Sequence, residues 1–270
     1  MFKLIACDLD QTLLSDDRKV SIRNIEAINK AKECGVKFVI ATGRGYQSVQ
    51  DVLVEIGSHD ESDEYVISLN GAIITENKAN RVLSFMPMAK EAVAELWTYA
   101  FENNMSMHTY TKDHMYVFNL QTKDQEYLYQ RIDYTVVNAK ELMLLADEDI
   151  AKIIFYYDNE TLRDKIINEI RPIVSNKLAV SYSAGHYIEI NHIYVDKGSG
   201  LITLSKMLNI DLVDTIAIGD NLNDLSMVKL AGVGVSVNNG HDDLKAIADL
   251  VCDADNNSDA ISEVIHKYIL

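Results

Sequence analysis

Two carboxylates spaced i, i+2 at the end of a short apolar run constrain this chain more than any other feature. Residues 2–7 read as a buried strand through Leu4, Ile5 and Ala6, and the run stops at Asp8-Leu9-Asp10. An isolated buried charge is too costly to tolerate. Asp8 and Asp10 therefore belong at the open end of the strand, in solvent or on a cation. In an open α/β sheet the carboxyl ends of the strands are where ligands bind.

The rest of the outer chain repeats a strand–helix rhythm. Ser21 to Cys34 carries Ile22, Ile25, Ile28 and Ala31 on one helical face, with Ser21 as N-cap and Gly35 as stop. A strand over Val36–Ala41, a helix over Tyr46–Ile56 and a strand over Tyr65–Leu69 follow. Ile73–Thr75 and Val82–Ser84 form a small hairpin. Near the C-terminus the spacing predicts helix Gly200–Leu208, strand Thr215–Ile218, helix Leu222–Ala231, strand Val233–Val237, helix His241–Ala248, strand Leu250–Cys252 and a last helix from Asp259. Continuous apolar strands separated by amphipathic helices predict a Rossmann-like, doubly wound parallel sheet with both faces covered.

The middle reads differently. Ser106–Tyr110 against His114–Asn119, and Ala179–Ser183 against Tyr187–Asn191, alternate like hairpin strands. Ala184-Gly185-His186 makes the second turn. Helices Ala89–Asn103 and Asn159–Ile170 lie between them. The expectation is an α+β domain over 85–191 inserted into an α/β core of 1–84 and 192–270. Ten of the chain's 14 tyrosines fall in the insert, and Pro87 stands at the crossover into it.

Four short signals stand at strand ends or helix starts of the α/β part: Asp8-Leu-Asp10-Gln-Thr12, Ala41-Thr42-Gly43-Arg44, Asp196-Lys197-Gly198 and Gly219-Asp220-Asn-Leu-Asn223-Asp224. Carboxylates of Asp8, Asp10 and Asp220 at strand ends would repel one another unless a cation sits among them. Few, hard oxygen ligands suit Mg²⁺. The Thr42 hydroxyl, the Lys197 ammonium and backbone N–H groups of the tight turns complete a cup for an anionic tetrahedral group. The formal net charge of −16 disfavours nucleic acid and anionic membranes as partners. A phosphorylated substrate must then be received by local positive charge. Three dispersed cysteines without a CxxC suit a reduced, cytoplasmic setting. No apolar run approaches the 18 residues of a membrane helix, and no signal peptide opens the chain.

With these motifs in this order, the chain resembles the haloacid-dehalogenase-like hydrolases, specifically the Cof-type phosphatases with a large α+β cap. Asn70-Gly71-Ala72 and the string Asp220-Asn-Leu-Asn-Asp-Leu-Ser-Met227 add to the likeness. The resemblance implies a phosphatase acting on small phosphorylated metabolites such as sugar phosphates, nucleotides or phosphorylated cofactors. It implies Asp8 as nucleophile forming an aspartyl-phosphate, and Asp10 as general acid and then base. Mg²⁺ would be held by the Asp8 carboxylate, the Asp10 carbonyl and the Asp220 carboxylate. Thr42, Gly43 and Asn223 would contact phosphate, Lys197 would stabilise its charge, and Asp224 would support Lys197 or the metal waters. Arg44 is a candidate for binding substrate or a cap carboxylate.

The cap would close over the site, with His108, Tyr110, His114, Tyr116 and Tyr187 as candidate contacts. Gln11 stands where the family usually has glycine, and is expected to fit if its φ stays negative. A monomer or weak homodimer is expected. A phosphomutase of the same fold and a catalytically silent phosphate sensor are the alternatives. The intact Asp8, Asp10, Lys197 and Asp220 speak against the sensor. A nicotinamide-type oxidoreductase is excluded, because no GxGxxG follows any strand.

Overall fold

The structure is a computed structural model describing all residues except 130, 131, 176 and 184. The first segment runs β1 (Leu4–Cys7), α1 (Ile22–Glu33), β2 (Lys37–Ala41), α2 (Gln50–Glu55), β3 (Tyr65–Ser68), β4 (Ile73–Glu76) and β5 (Arg81–Phe85). The inserted segment runs α3 (Lys90–Asn103), β6 (Met107–Tyr110), β7 (Met115–Phe118), α4 (Thr122–Leu128), β8 (Thr135–Val137), α5 (Ala139–Met143), β9 (Lys152–Tyr156), α6 (Glu160–Val174), β10 (Leu178–Ser183) and β11 (Tyr187–His192). The last segment runs α7 (Lys197–Met207), β12 (Thr215–Gly219), α8 (Leu225–Leu230), β13 (Val233–Ser236), α9 (Asp242–Lys245), β14 (Leu250–Val251) and α10 (Ala260–Tyr268). Two units result: Met1–Ser84 with Asp196–Leu270, and Phe85–Val195. Residues 192–195 go with the second unit, not the first, because β11 extends through His192.

In the first unit eight strands lie in the order β14-β13-β12-β1-β2-β3-β4-β5. The pairs from β14 to β3 are parallel, and β4 is antiparallel to β3. Each residue of β1 is wholly inaccessible, as a strand covered on both faces requires. Leu4, Ala6, Val39, Ala41 and Ile67 pack with Leu201 and Leu204 of α7, Met227 and Val228 of α8, and Leu244 of α9. Alternation turns Ile5 and Cys7 to the opposite face. There α1 lies against β2 and α10. From β1 the chain winds outward through β2 and β3, then returns to wind the other way from β12. The switch point therefore falls between β1 and β12, the place at which open α/β sheets bind their ligands.

The turn after β1 departs from expectation. Gln11 has φ +60, not a negative value. The chain must reverse at once so that Asp10 can bridge to Leu14, and the Gln11 carbonyl accepts from Asn239 Nδ2 at 2.8 Å. A left-handed L-residue costs about 1–2 kcal/mol. Gln11 is exposed, so nothing but its backbone is at stake. Gln11→Gly is expected to stabilise the protein by about 0.5–1 kcal/mol and Gln11→Val to destabilise it, both read from denaturant midpoints.

In the second unit six strands lie in the order β10-β11-β9-β6-β7-β8, antiparallel throughout except for parallel β7 and β8. Leu96, Trp97, Ala100, Ile166 and Ile170 of α3 and α6 cover Met107, Ile153, Phe155, Ile188 and Ile190. The two hairpins expected from alternation are present, but β9 joins them at the centre of the sheet. In the second turn Gly185 has φ +71; Ala184 lies outside the described residues. Helix α6 runs on through Pro172 instead of stopping before it. Pro172 has no N–H to offer the Asn168 carbonyl, and the helix ends two residues later. Among the described residues no helix is long and apolar enough to cross a membrane.

Candidate active site

The parallel ladder delivers the acidic residues side by side. Cys7 is in register with Ile218, and the Asp8 N–H donates to the Ile218 carbonyl at 2.9 Å. Asp8 and Asp220 thus leave adjacent strands together. With Asp224 they present carboxylate oxygens within 4.8 Å of one another, all three residues buried. Gly219 makes room: a Cβ there would meet the Asp224 carboxyl carbon at 2.5 Å. Asp224 Oδ2 accepts the N–H groups of Asp220 and Asn221, each at 3.0 Å. Thr12 Oγ1 donates to Asp220 Oδ1 at 3.0 Å and fixes that carboxylate.

Lys197 is the first residue of α7. Asp196 caps that helix by accepting the Ser199 N–H at 2.7 Å. The helix start is pressed against the β3–β4 turn, where Gly71 has φ +99 and a Cβ would lie 2.3 Å from the Asp196 carbonyl. No other residue permits that approach. The fully buried Lys197 Nζ donates to Asp224 Oδ1 at 2.6 Å and to Asp8 Oδ1. Burial alone would lower the Lys197 pKa, but the charges of Asp224 and Asp8 outweigh it and hold the ammonium above its ordinary range. Burial raises Asp8 well above a usual carboxylate, against the pull of Lys197. Burial and the Asp224 charge likewise raise Asp220 to about 6. Lys197 is thus charged, and burial works against the ionised form of both Asp8 and Asp220.

The Thr42 loop follows β2, the neighbour of β1 in the sheet. The Thr42 hydroxyl accepts the Arg44 N–H at 3.1 Å, and the Asn70 N–H donates to the Thr42 carbonyl at 2.9 Å. A Cβ on Gly43 would stand 3.0 Å from Asn70 Oδ1, so the Asn70 amide lies directly over this glycine. Asp10 stands apart from the three clustered carboxylates. It is half exposed and takes two hydrogen bonds from the Arg44 guanidinium. Arg44 therefore serves Asp10 of its own unit. Asn223 is half-buried in the turn Leu222–Asp224 and, among the described residues, makes no side-chain hydrogen bond.

Thr12 as the Asp220 partner and Arg44 as the Asp10 partner were not assigned from sequence. Thr12 lies inside the first motif, two residues past Asp10, which was the available signal.

The tyrosine-rich second unit places its candidates in an internal network. Asp124 of α4 receives Ser106 Oγ at 3.0 Å and Tyr187 OH at 2.7 Å, and pairs with His108 Nε2 at 2.7 Å. Tyr110 lies under the ammonium of Lys152, which pairs with Glu189 at 3.1 Å. His114 reaches Thr135 Oγ1 at 2.8 Å, and Tyr116 packs on the apolar core. His108 and Tyr187 are thereby committed to holding α4 on the sheet.

The donor set fits a small hard cation. Both Asp224 oxygens are taken by Lys197 and by N–H groups, which leaves Asp8 and Asp220 as the side chains free to ligate. Next to them stands a buried ammonium able to meet an anion. This is an arrangement for phosphoryl chemistry at a carboxylate.

Comparison with known proteins agrees with this geometry. A family model described as haloacid dehalogenase-like hydrolase matches residues 5–265. The Bacillus subtilis protein YxeH, which carries a provisional phosphatase name, is 28% identical over 100% of this chain and 99% of its own. The 5-amino-6-(5-phospho-D-ribitylamino)uracil phosphatase YwtE of the same organism is 31% identical over 90% of each chain. A crystal structure of a haloacid dehalogenase-like hydrolase from Bacteroides thetaiotaomicron superposes with a TM-score of 0.87 at 26% identity, covering 99% of both chains.

Proposed function

Because the chain belongs to the haloacid dehalogenase-like hydrolases, we propose that it is a Mg²⁺-dependent phosphatase of small phosphorylated metabolites, working through an aspartyl-phosphate on Asp8. The observation that carries the reading is the buried Asp8–Lys197–Asp224 chain. It holds one oxygen of a carboxylate on a permanent positive charge beside the space where an anionic phosphoryl group must approach.

Asp8 attacks phosphorus while Asp10 gives a proton to the departing alcohol oxygen. Water then attacks the aspartyl-phosphate while Asp10 takes its proton, and Asp8 is released with inorganic phosphate. Lys197 balances charge in both steps, and Thr42, Gly43 and Asn223 receive phosphoryl oxygens. Asp8, Asp220 and the Asp10 carbonyl are the groups that would hold Mg²⁺, which supplies charge neutralisation between nucleophile and phosphate. The substrate named for YwtE, a phosphorylated ribitylaminouracil, supports the class: a sugar phosphate, nucleotide or phosphorylated cofactor. The −16 charge supports a small-molecule substrate over nucleic acid or membrane, for a cytoplasmic monomer or weak homodimer.

The test is phosphate release from p-nitrophenyl phosphate and then from a phosphometabolite panel, with Mg²⁺ and with EDTA. Metal-dependent release is expected. Isomerised product without free phosphate would point to a mutase, and inertness across the panel to a sensor.

A pH dependence follows for the metal-free protein. Asp220 holds its proton to about pH 6 when folded but only to its ordinary 3.8 when unfolded. The folded state then binds more protons between these values, so this group's contribution to stability is full at low pH and is lost as pH rises through about 6. Mg²⁺ should therefore raise the melting temperature more at about pH 7 than at about pH 5. An equal shift at both pH values would refute the assignment of Asp220 as a ligand.

A further inference from the structure

The pairing of Asp10 with Arg44 is unlike an ordinary surface ion pair, which contributes little. Arg44 Nε donates to Asp10 Oδ2 at 2.8 Å and Nη2 donates to Oδ1, a two-pronged contact that fixes the direction of the carboxyl as well as its position. The Arg44 side chain is 17% exposed and that of Asp10 52%. The backbone under Arg44 is held at both ends: its N–H donates to the Thr42 hydroxyl at 3.1 Å, and its carbonyl accepts the Leu69 N–H at 2.9 Å. Asp10 in turn sits in the tight turn that bridges to Leu14. A line of hydrogen bonds therefore runs from the β3 end through the Thr42 loop to Asp10, which lies outside the buried cluster.

We propose that Arg44 is the positioning residue for Asp10: it aims that carboxyl at the leaving-group oxygen and afterwards at the attacking water. The proposal rests on the acid–base role given to Asp10 above. Arg44 itself exchanges no proton. In the first step the bond from phosphorus to the leaving oxygen breaks as the bond to Asp8 forms, and the Asp10 proton ends on the alcohol. In the second the Asp8–phosphorus bond breaks as the water–phosphorus bond forms, and the water proton ends on Asp10. Without its guanidinium guide, Asp10 samples other rotamers and the proton transfers fail, while phosphate still binds through Thr42 and Lys197.

The experiment compares kcat/KM for p-nitrophenyl phosphate, whose leaving group needs little protonation, with phenyl phosphate, whose phenoxide is far more basic. The proteins are wild type, Arg44→Met, Arg44→Lys, Asp10→Ala and the Met/Ala double variant, each checked for an unchanged unfolding midpoint. Arg44→Met is expected to lose about 100-fold or more on phenyl phosphate and less than about 10-fold on p-nitrophenyl phosphate. Arg44→Lys should recover part of the loss on phenyl phosphate. The double variant should be no worse than Asp10→Ala, because both changes disable one device.

Equal losses on the two substrates, or losses that multiply in the double variant, would overturn the proposal. A raised KM with unchanged kcat would also overturn it and make Arg44 a substrate-binding residue. A wild type that releases no phosphate with Mg²⁺ would instead overturn the phosphatase reading on which the proposal stands.

Discussion

Asp8→Asn should abolish phosphate release, with kcat falling by at least about 10⁴-fold, and should leave the fold intact. The loss is expected to be large because the proposed route makes this carboxylate the bond-forming group, and removing such a group costs nearly the whole covalent route. The amide keeps the shape of the side chain and an oxygen able to accept from Lys197 Nζ, so the contact recorded at Asp8 Oδ1 survives. One negative charge also leaves a buried group in which Asp8, Asp220 and Asp224 face a single ammonium. The unfolding midpoint of the variant near neutral pH should therefore equal or exceed that of the wild type. Mass spectrometry of acid-quenched wild-type enzyme should show a phosphoryl adduct that the variant lacks. Residual turnover within about 10-fold of wild type would remove Asp8 from the role of nucleophile.

Lys197→Met is expected to damage both activity and stability. Its ammonium is fully buried and is the shared partner of Asp8 and Asp224. Deleting one member of such a group strands buried charge at a cost of about 3–5 kcal/mol. The penalty should shrink as pH is lowered toward about 5, because burial already raises Asp8 and Asp220 and protonation relieves the stranded charge. Mg²⁺ should restore part of the stability but not the activity, since the phosphoryl charge still lacks its ammonium. Chemical denaturation with and without Mg²⁺, at two pH values, separates these effects. A variant as stable as wild type at neutral pH would contradict the ion-pair geometry.

The core of the molecule was readable because its strands are continuous apolar runs that end abruptly. Leu4 to Cys7, Lys37 to Ala41 and Thr215 to Gly219 each stop at a motif, and the parallel ladder makes those stops neighbours. The second unit was less readable. Lys152-Ile-Ile-Phe-Tyr156 forms the central strand, yet it lacks alternation and its partners β6 and β11 are remote in sequence. β8 spans only three residues, two of them exposed, and α4 and α5 are short, so none gives a periodic signal. The Gln11 backbone departs from its sequence expectation for a different reason. Its conformation is imposed by the Asp10–Leu14 bridge and by Asn239, a residue from the far end of the chain. The Arg44–Asp10 pair was hidden likewise, since only the fold brings the β1 and β2 loops together.

The central pairing of β1 with β12 also governs when the molecule becomes an enzyme. Thr12 meets Asp220 across 208 positions of chain, and Lys197 meets Asp8 across 189. During synthesis Asp8 emerges first, but β12 and the ammonium partner of Asp8 emerge only after the whole Phe85–Val195 unit, whose own strands pair among themselves. Closing so long a loop carries an entropic cost that local contacts do not meet, and pairings of this range form late. The order of assembly is then fixed by topology: the inserted unit can collect its sheet while β1 still lacks its β12 neighbour. A nascent chain halted before residue 215 should display Asp8 yet be chemically mute, with the β1 edge open to chaperones.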